Sequence, residues 1–309
     1  MTSRVLLCVS IDCECDKGPA WRTRRPLAFD GVAIGIVERL HPLFRSFRGK
    51  PTYLLSPELL REPRCIEQLS ALEGAELGTH LHGELAEPGA FEPEVTRAVQ
   101  REYPPEVERA KLEWMTQAFR RAFGRAPRSF RAGRFGIGPH TVPILEQLGY
   151  AVESSVTPHV DWSAVSRGLS FVDAPTQPYH PDPSDPGRSG ASSLLEVPIT
   201  IRPRWSSRIP VAGRWIEPRW LRPTHNDGKE LVAIACDEIK DAQRRQPGAV
   251  VVLNAMFHNV EVVAGASPYA ASDARATSII GRLAELLEFA RAHDIACVGL
   301  GDVPEALAA

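Results

Sequence analysis

Three features of the chain predict an α/β barrel. Short apolar runs alternate with amphipathic segments, the pattern of repeated β-α units. Eight such runs occur, and eight strands interleaved with helices suggest a barrel more than an open sheet. Polar residues fall repeatedly at the C-terminal ends of these runs, where parallel barrels gather their reactive groups.

The predicted strands are 4–12, 51–56, 76–82, 129–134, 151–156, 194–201, 249–258 and 295–300. A helix over 104–123 opens with two prolines and carries Val107, Leu112, Met115 and Phe119 at helical spacing. Gly149 sits at the C-cap of a helix over 139–148. Leu231, Ile234, Ile239 and Ala242 form one further helical stripe, and Ile279, Leu283, Leu286 and Leu287 another. Segment 173–193, rich in Pro, Ser, Gly and Asp, reads as a long surface excursion rather than a linker, because strand and helix signals resume beyond it. Residues 1–309 are therefore expected to form one domain.

Composition narrows the function classes. The chain is 43% hydrophobic and 24% charged, ordinary for a folded protein, and 309 residues bury a core without disulfides. A formal net charge of −2 gives no global field toward nucleic acid or a membrane. Cys8, Cys13, Cys15, Cys65, Cys236 and Cys297 lack the spacing of a secreted framework and are expected as reduced thiols, with Cys13-x-Cys15 a weak metal-binding alternative. The N-terminal apolar stretch is too short for a signal peptide and no run reaches membrane-spanning length, so the protein as written reads as cytoplasmic. A homo-oligomer is compatible with this composition.

The most informative segment is Glu76-Leu77-Gly78-Thr79-His80-Leu81-His82-Gly83-Glu84. On a strand, His80 and His82 point to the same side. Two neutral imidazoles with a carboxylate from another strand could hold a divalent metal and leave one position for water. Asp12 and Glu14 end the first strand, His258 ends the seventh, and Arg131 and Arg134 lie at the end of the fourth. Asn254 shares a strand face with His258 and is expected to support the site from below.

The order of these motifs resembles the polysaccharide deacetylase family, also called NodB-homology or carbohydrate esterase family four, and most closely a divergent WalW-type branch. Ser10-Ile11-Asp12-Cys13-Glu14 resembles the first motif, with an aspartate base and a metal-binding acid. Residues 76–82 resemble the second, which supplies metal histidines, and 129–136 the third, whose arginine pairs with the base. Gly149-Tyr150 with Ser154-Ser155-Val156-Thr157-Pro158 resembles the next strand, and Asp161-Trp162 a further remnant near the active site. Met256-Phe257-His258-Asn259 with Ser267-Pro268-Tyr269 resembles the last motif, whose histidine is the general acid. Across roughly 5–300, the resemblance implies a distorted (β/α) barrel of seven or eight strands that removes an N-acyl or O-acyl group from a sugar.

Two departures stand out. Most members carry adjacent aspartates in the first motif, whereas Cys13 follows Asp12 here; most space the metal histidines four apart, where this chain has Glu84. The site is either His80, His82 and Glu14 on extended chain, which we favour, or His80 with Glu84. The expected cofactor is a divalent metal, zinc foremost, with cobalt or nickel as alternatives. Catalysis is expected from Asp12 as base, Arg131 orienting it and His258 as acid.

Substrate residues are sought in two segments rich in Trp and Arg. One, 17–25, holds Trp21; the other, 202–222, holds Trp205, Trp215 and Trp220. Indoles stack on sugar rings and guanidinium groups grip anions, so Trp21, Arg134, Trp205 and Trp215 point to a carbohydrate or glycoconjugate, with an anionic one foremost. The same segments would also suit a barrel cap or a subunit contact. Competing functions are an amidohydrolase of a small non-carbohydrate amide, and an inactive barrel that binds a glycan or a protein.

Overall fold

A computed structural model describes residues 3–23, 25–92, 98–204 and 217–309. Its strands are β1 (Val5–Cys13), β2 (Thr52–Leu55), β3 (Glu76–Leu81), β4 (Ser129–Ala132), β5 (Val152–Glu153), β6 (Pro181–Asp182), β7 (Asp185–Ser189), β8 (Leu195–Glu196), β9 (Ile201–Arg202), β10 (Arg219–Trp220), β11 (Val251–His258) and β12 (Ala296–Cys297). The α-helices are α1 (His41–Ser46), α2 (Pro63–Ser70), α3 (Pro105–Phe123), α4 (Thr141–Leu148), α5 (Gly228–Arg245), α6 (Asp273–Ala292) and α7 (Val303–Ala308). A π-helical segment, Gly31–Leu40, runs into α1.

All eight predicted runs contribute to one parallel sheet, ordered β11-β1-β2-β3-β4-β5-β8, with β12 on β1. The sheet curls into a distorted half-barrel without closing its ladder. At the seam, Thr200 N–H donates to the Asn254 carbonyl at 3.0 Å, and Asn254 N–H donates to Thr200 Oγ1 at 2.8 Å. The last strand does not close the barrel. Leu6 and Leu7 of β1 pair with β11 on one edge and with Ala296 and Cys297 on the other, below the stretch where Ser10–Cys13 meets β2.

Several strands are shorter than predicted because their polar ends turn to the site. The fifth run ladders only at Val152–Glu153; beyond it, Ser154 and Ser155 spend their hydroxyls on Val197 and Glu153. The sixth run splits: Ile201 leaves the main sheet and pairs with Trp220. The four predicted helical segments appear as α3 to α6, with Gly124 and Gly149 as left-handed C-caps. Segment 173–193 contains the β6–β7 hairpin, largely exposed around Asp185 and Ser189.

Residue alternation along β1 sets the interior. Its outward residues Leu7, Val9, Ile11 and Cys13 join the main core with Ile36, Phe44, Leu112, Phe119, Ile279 and Leu283 from the surrounding helices. Its inward residues change character toward the C-terminal end. Leu6 and Cys8 pack with Leu54, Val152, Val252, Leu300 and Val303 and plug the barrel floor. Ser10 lies in a polar layer above them, and Asp12 and Glu14 crown it. Among the described residues, no helix is long and apolar enough to cross a membrane.

Candidate active site

The polar layer begins with Arg131, which is fully buried. Its guanidinium donates to Asp12 Oδ1 at 2.6 Å, to Ser10 Oγ at 2.6 Å, to Ser154 Oγ at 3.0 Å and to the Ser154 carbonyl at 2.6 Å. Asn254 completes the layer, accepting from Ser10 Oγ at 2.8 Å and donating to Ser154 Oγ at 2.9 Å. A buried guanidinium is tolerated only when its donors and its charge are matched, and here β1 supplies Asp12 and Ser10 while Ser154 follows β5. Burial alone would raise the Asp12 carboxyl, but Arg131, His80 and His258 outweigh it and hold it below the usual range.

Strand register then places the remaining groups. Asp12 pairs with His258 across β1–β11, and His80 pairs with Arg131 across β3–β4. Asp12 Oδ2 stands 3.9 Å from His80 Nε2 and 3.9 Å from His258 Nε2. Glu14 Oε1 lies 3.1 Å from His82 Nε2, 3.4 Å from His80 Nε2 and 3.7 Å from His258 Nε2. Its other oxygen meets Lys17 Nζ at 2.7 Å. Burial would raise Glu14, yet Lys17 and the two histidines pull it well below the ordinary carboxylate range.

Glu14, His80 and His82 could hold a metal: their candidate ligand atoms all lie within 4.8 Å of one another, and all three residues are buried. The donor chemistry fits. His80 Nδ1 is 3.1 Å from the Arg131 carbonyl, an acceptor only, so Nδ1 carries the proton and Nε2 is bare in the neutral ring. His82 Nδ1 faces Glu84 Oε1 at 3.3 Å, leaving its Nε2 aimed at Glu14. The two Nε2 atoms are 3.2 Å apart. Ligand atoms about 2 Å from one tetrahedral ion are separated by roughly 3.4 Å, close to the spacings found. Burial would lower the His82 imidazole, but Glu14 and Glu84 prevail and raise it to about 9. The alternative of His80 with Glu84 as ligands is not what the geometry assembles, since Glu84 binds the far side of His82. Cys13 is no part of this group; its thiol donates to the Ile11 carbonyl on the outward face of β1.

Glu84 also accepts from Arg134 at 2.6 Å; burial opposes this, but His82 and Arg134 bring its carboxyl down to about 2. Arg134 reaches it from a strained turn in which Arg134 and Phe135 both adopt left-handed backbones, φ 56° and 54°. Gly133 precedes them because nothing larger fits: a Cβ there would lie 2.8 Å from the Leu81 carbonyl and 3.0 Å from the His82 ring.

On the opposite flank, His258 Nδ1 lies 2.8 Å from Glu261 Oε1. Glu261 is buried and also accepts from Arg222 and Thr224. Burial opposes its ionisation, but Arg222 and His258 prevail and bring it to about 2. Trp21 meets His258 edge to face at 5.0 Å between centroids, and Tyr269 at 5.5 Å.

These groups open into a cleft of about 290 Å³ whose walls include Trp21, Thr23, Leu85, Phe135, Trp162 and Tyr269. The structure thus brings Asp12, Glu14, His80, His82, Arg131, Arg134, His258 and Trp21 together; Trp205 and Trp215 lie outside the described residues. Sequence reasoning missed the roles of Glu261, Ser10 and Ser154. Glu261 had a signal, an acid three residues after a strand-end histidine, but the serines had none.

No protein-family model matches the chain, and no curated protein matches it. Solved structures do. A protein assigned as a polysaccharide deacetylase from Mycobacterium smegmatis superposes with a TM-score of 0.58 at 16% identity, over 100% of this chain and 91% of that one. One assigned as a glycoside hydrolase/deacetylase from Parabacteroides distasonis gives 0.67 at 12%, over 98% and 71%. Puue allantoinase gives 0.55 at 16%, over 97% and 87%. At these identities the likeness is one of fold, and the fold is the distorted barrel of the polysaccharide deacetylase type.

Proposed function

We propose that the protein is a metal-dependent hydrolase that removes an acyl group, acetyl foremost, from a carbohydrate or glycoconjugate, and that its motifs place it in the WalW-like branch. The observation that carries this is the convergence of Asp12 Oδ2, the Glu14–His80–His82 group and His258 Nε2 within 4 Å of their neighbours. A divalent metal, zinc foremost, held by Glu14, His80 and His82 would supply Lewis acidity toward an acyl carbonyl and acidify water in its reach. Asp12 takes the proton of the attacking water on Oδ2, because Oδ1 is held by Arg131. His258, with Nδ1 held by Glu261, donates from Nε2 to the departing amine or alkoxide. An amine leaves an amide only once protonated, so the acid is a chemical requirement. Trp21 and Arg134 line the cleft as substrate contacts. Lys17, Arg134 and Arg222 line the cleft but are each paired with a carboxylate there, so an anionic glycan would have to compete with Glu14, Glu84 or Glu261 for them.

A second reading, hydrolysis of a small cyclic or linear amide, is favoured by the size of the cleft, which suits one ring, and by the fold shared with an allantoinase. Acetate release from N-acetylated and O-acetylated sugars, with added zinc, cobalt or nickel, tests the first reading. Release that needs metal and is lost in Asp12→Asn supports it. Turnover of small amides with no acetate release selects the second. Neither product from metal-loaded protein leaves the inactive glycan-binding barrel.

A further inference from the structure

A buried ammonium beside a metal-binding carboxylate is unusual, and Lys17 is one. Its residue is 8% exposed, and its Nζ lies 2.7 Å from Glu14 Oε2 and 3.2 Å from Thr23 Oγ1. The chain enters this position through a constrained turn. Lys17 N–H and Gly18 N–H both donate to the Ala266 carbonyl at 2.9 Å, and Arg22 N–H returns to the Lys17 carbonyl at 2.8 Å. Thr23, contributed by that turn, grips the ammonium, so Lys17 is held against one oxygen of Glu14 and away from the other. Glu14 is further fixed through its backbone: Asn259 accepts from its N–H at 3.0 Å and donates to its carbonyl at 3.1 Å.

We propose that Lys17 is a positioning residue that sets the metal affinity of the Glu14–His80–His82 group, an inference that rests on the metal-binding reading above. Lys17 occupies Oε2, so Glu14 presents Oε1 alone to an ion and cannot chelate it with both oxygens. The ammonium also places a fixed positive charge next to a site for a dication, where a low local dielectric magnifies the repulsion. Both effects weaken binding relative to the same three ligands without Lys17. In return, the carboxylate stays in place when no ion is bound, because one of its oxygens already has a partner.

The test is zinc and cobalt titration of chelator-stripped protein against a competing chromophoric chelator, in wild type, Lys17→Met and Lys17→Arg. Lys17→Met should bind about ten- to a hundredfold more tightly, and its cobalt spectrum should shift as the second Glu14 oxygen becomes available. Lys17→Arg, which keeps the charge, should stay within a few-fold of wild type. Circular dichroism confirms that each variant is folded; if Lys17→Met does not fold, Lys17→Gln takes its place. Affinity in the neutral variant that equals or falls below wild type overturns the proposal while the metal-binding reading stands. A folded wild type that takes up neither ion overturns both, and that failure is visible before any variant is compared.

Discussion

The two flanks of the cleft hold the same kind of side chain in different company. On one, His80 and His82 turn their Nε2 atoms to a shared carboxylate, with Nδ1 held by a backbone carbonyl in His80 and by Glu84 in His82. On the other, His258 has the buried Glu261 behind it, clamped by Arg222 and Thr224, and an indole edge against its ring. The carbonyl behind His80 fixes its tautomer with Nε2 bare, which suits a ligand. His82 and His258 each have an arginine-held carboxylate at Nδ1, so that partner does not separate them. Their Nε2 atoms do: that of His82 lies 3.1 Å from Glu14 and 3.2 Å from His80, whereas that of His258 lies 3.7 Å from Glu14 and faces Asp12 at 3.9 Å, outside the three-residue group.

Five substitutions, in four predictions, would break or sharpen this contrast. The largest effect is expected from Asp12→Asn, which removes the base shared by both flanks: turnover should fall at least a thousandfold in steady-state assays while metal content by elemental analysis is unchanged. His82→Ala should abolish stoichiometric metal uptake, whereas His258→Ala should keep the metal and lose turnover; equal metal loss in both would erase the distinction. Glu261→Gln should lower kcat by about ten- to a hundredfold with metal content unchanged, because His258 loses the carboxylate that holds its Nδ1. Gly133→Ala should cost less, weakening metal affinity about tenfold by pushing the His82 ring out of line.

A fifth expectation concerns stability alone. Glu261 ionises at about 2 in the fold against about 4.3 in an unfolded chain, so the unfolded state binds more protons in acid. Its contribution, at most about 3 kcal/mol, is complete above the unfolded value and is lost as pH falls toward 2. Urea unfolding at pH 6 and pH 3 should therefore show a smaller acid loss in Glu261→Gln than in wild type.

What the sequence made legible follows from where the side chains point. Apolar runs alternating with amphipathic segments revealed the barrel strands, and those that end in a polar residue located Asp12, Glu14, His80, His82 and His258, because a strand-end polar group leaves a contrast in one dimension. Register left no such trace. Nothing in the chain says that Asp12 stands opposite His258 or that His80 stands opposite Arg131, and the Ser10–Arg131–Ser154–Asn254 layer depends on those alignments. The helical stretch 31–46 is absent from the predicted helices. Gly35 is there for contact: a Cβ would lie 2.7 Å from the Asn259 carbonyl, so the segment packs directly on the turn that follows His258.

The central claim is that Glu14, His80 and His82 bind one metal ion beside Asp12. Anomalous diffraction from crystals of zinc-loaded protein tests it most directly. The account predicts a single strong peak within about 2.2 Å of His80 Nε2, His82 Nε2 and Glu14 Oε1. A peak elsewhere, or no peak among these three atoms in the zinc-loaded crystals, would contradict it.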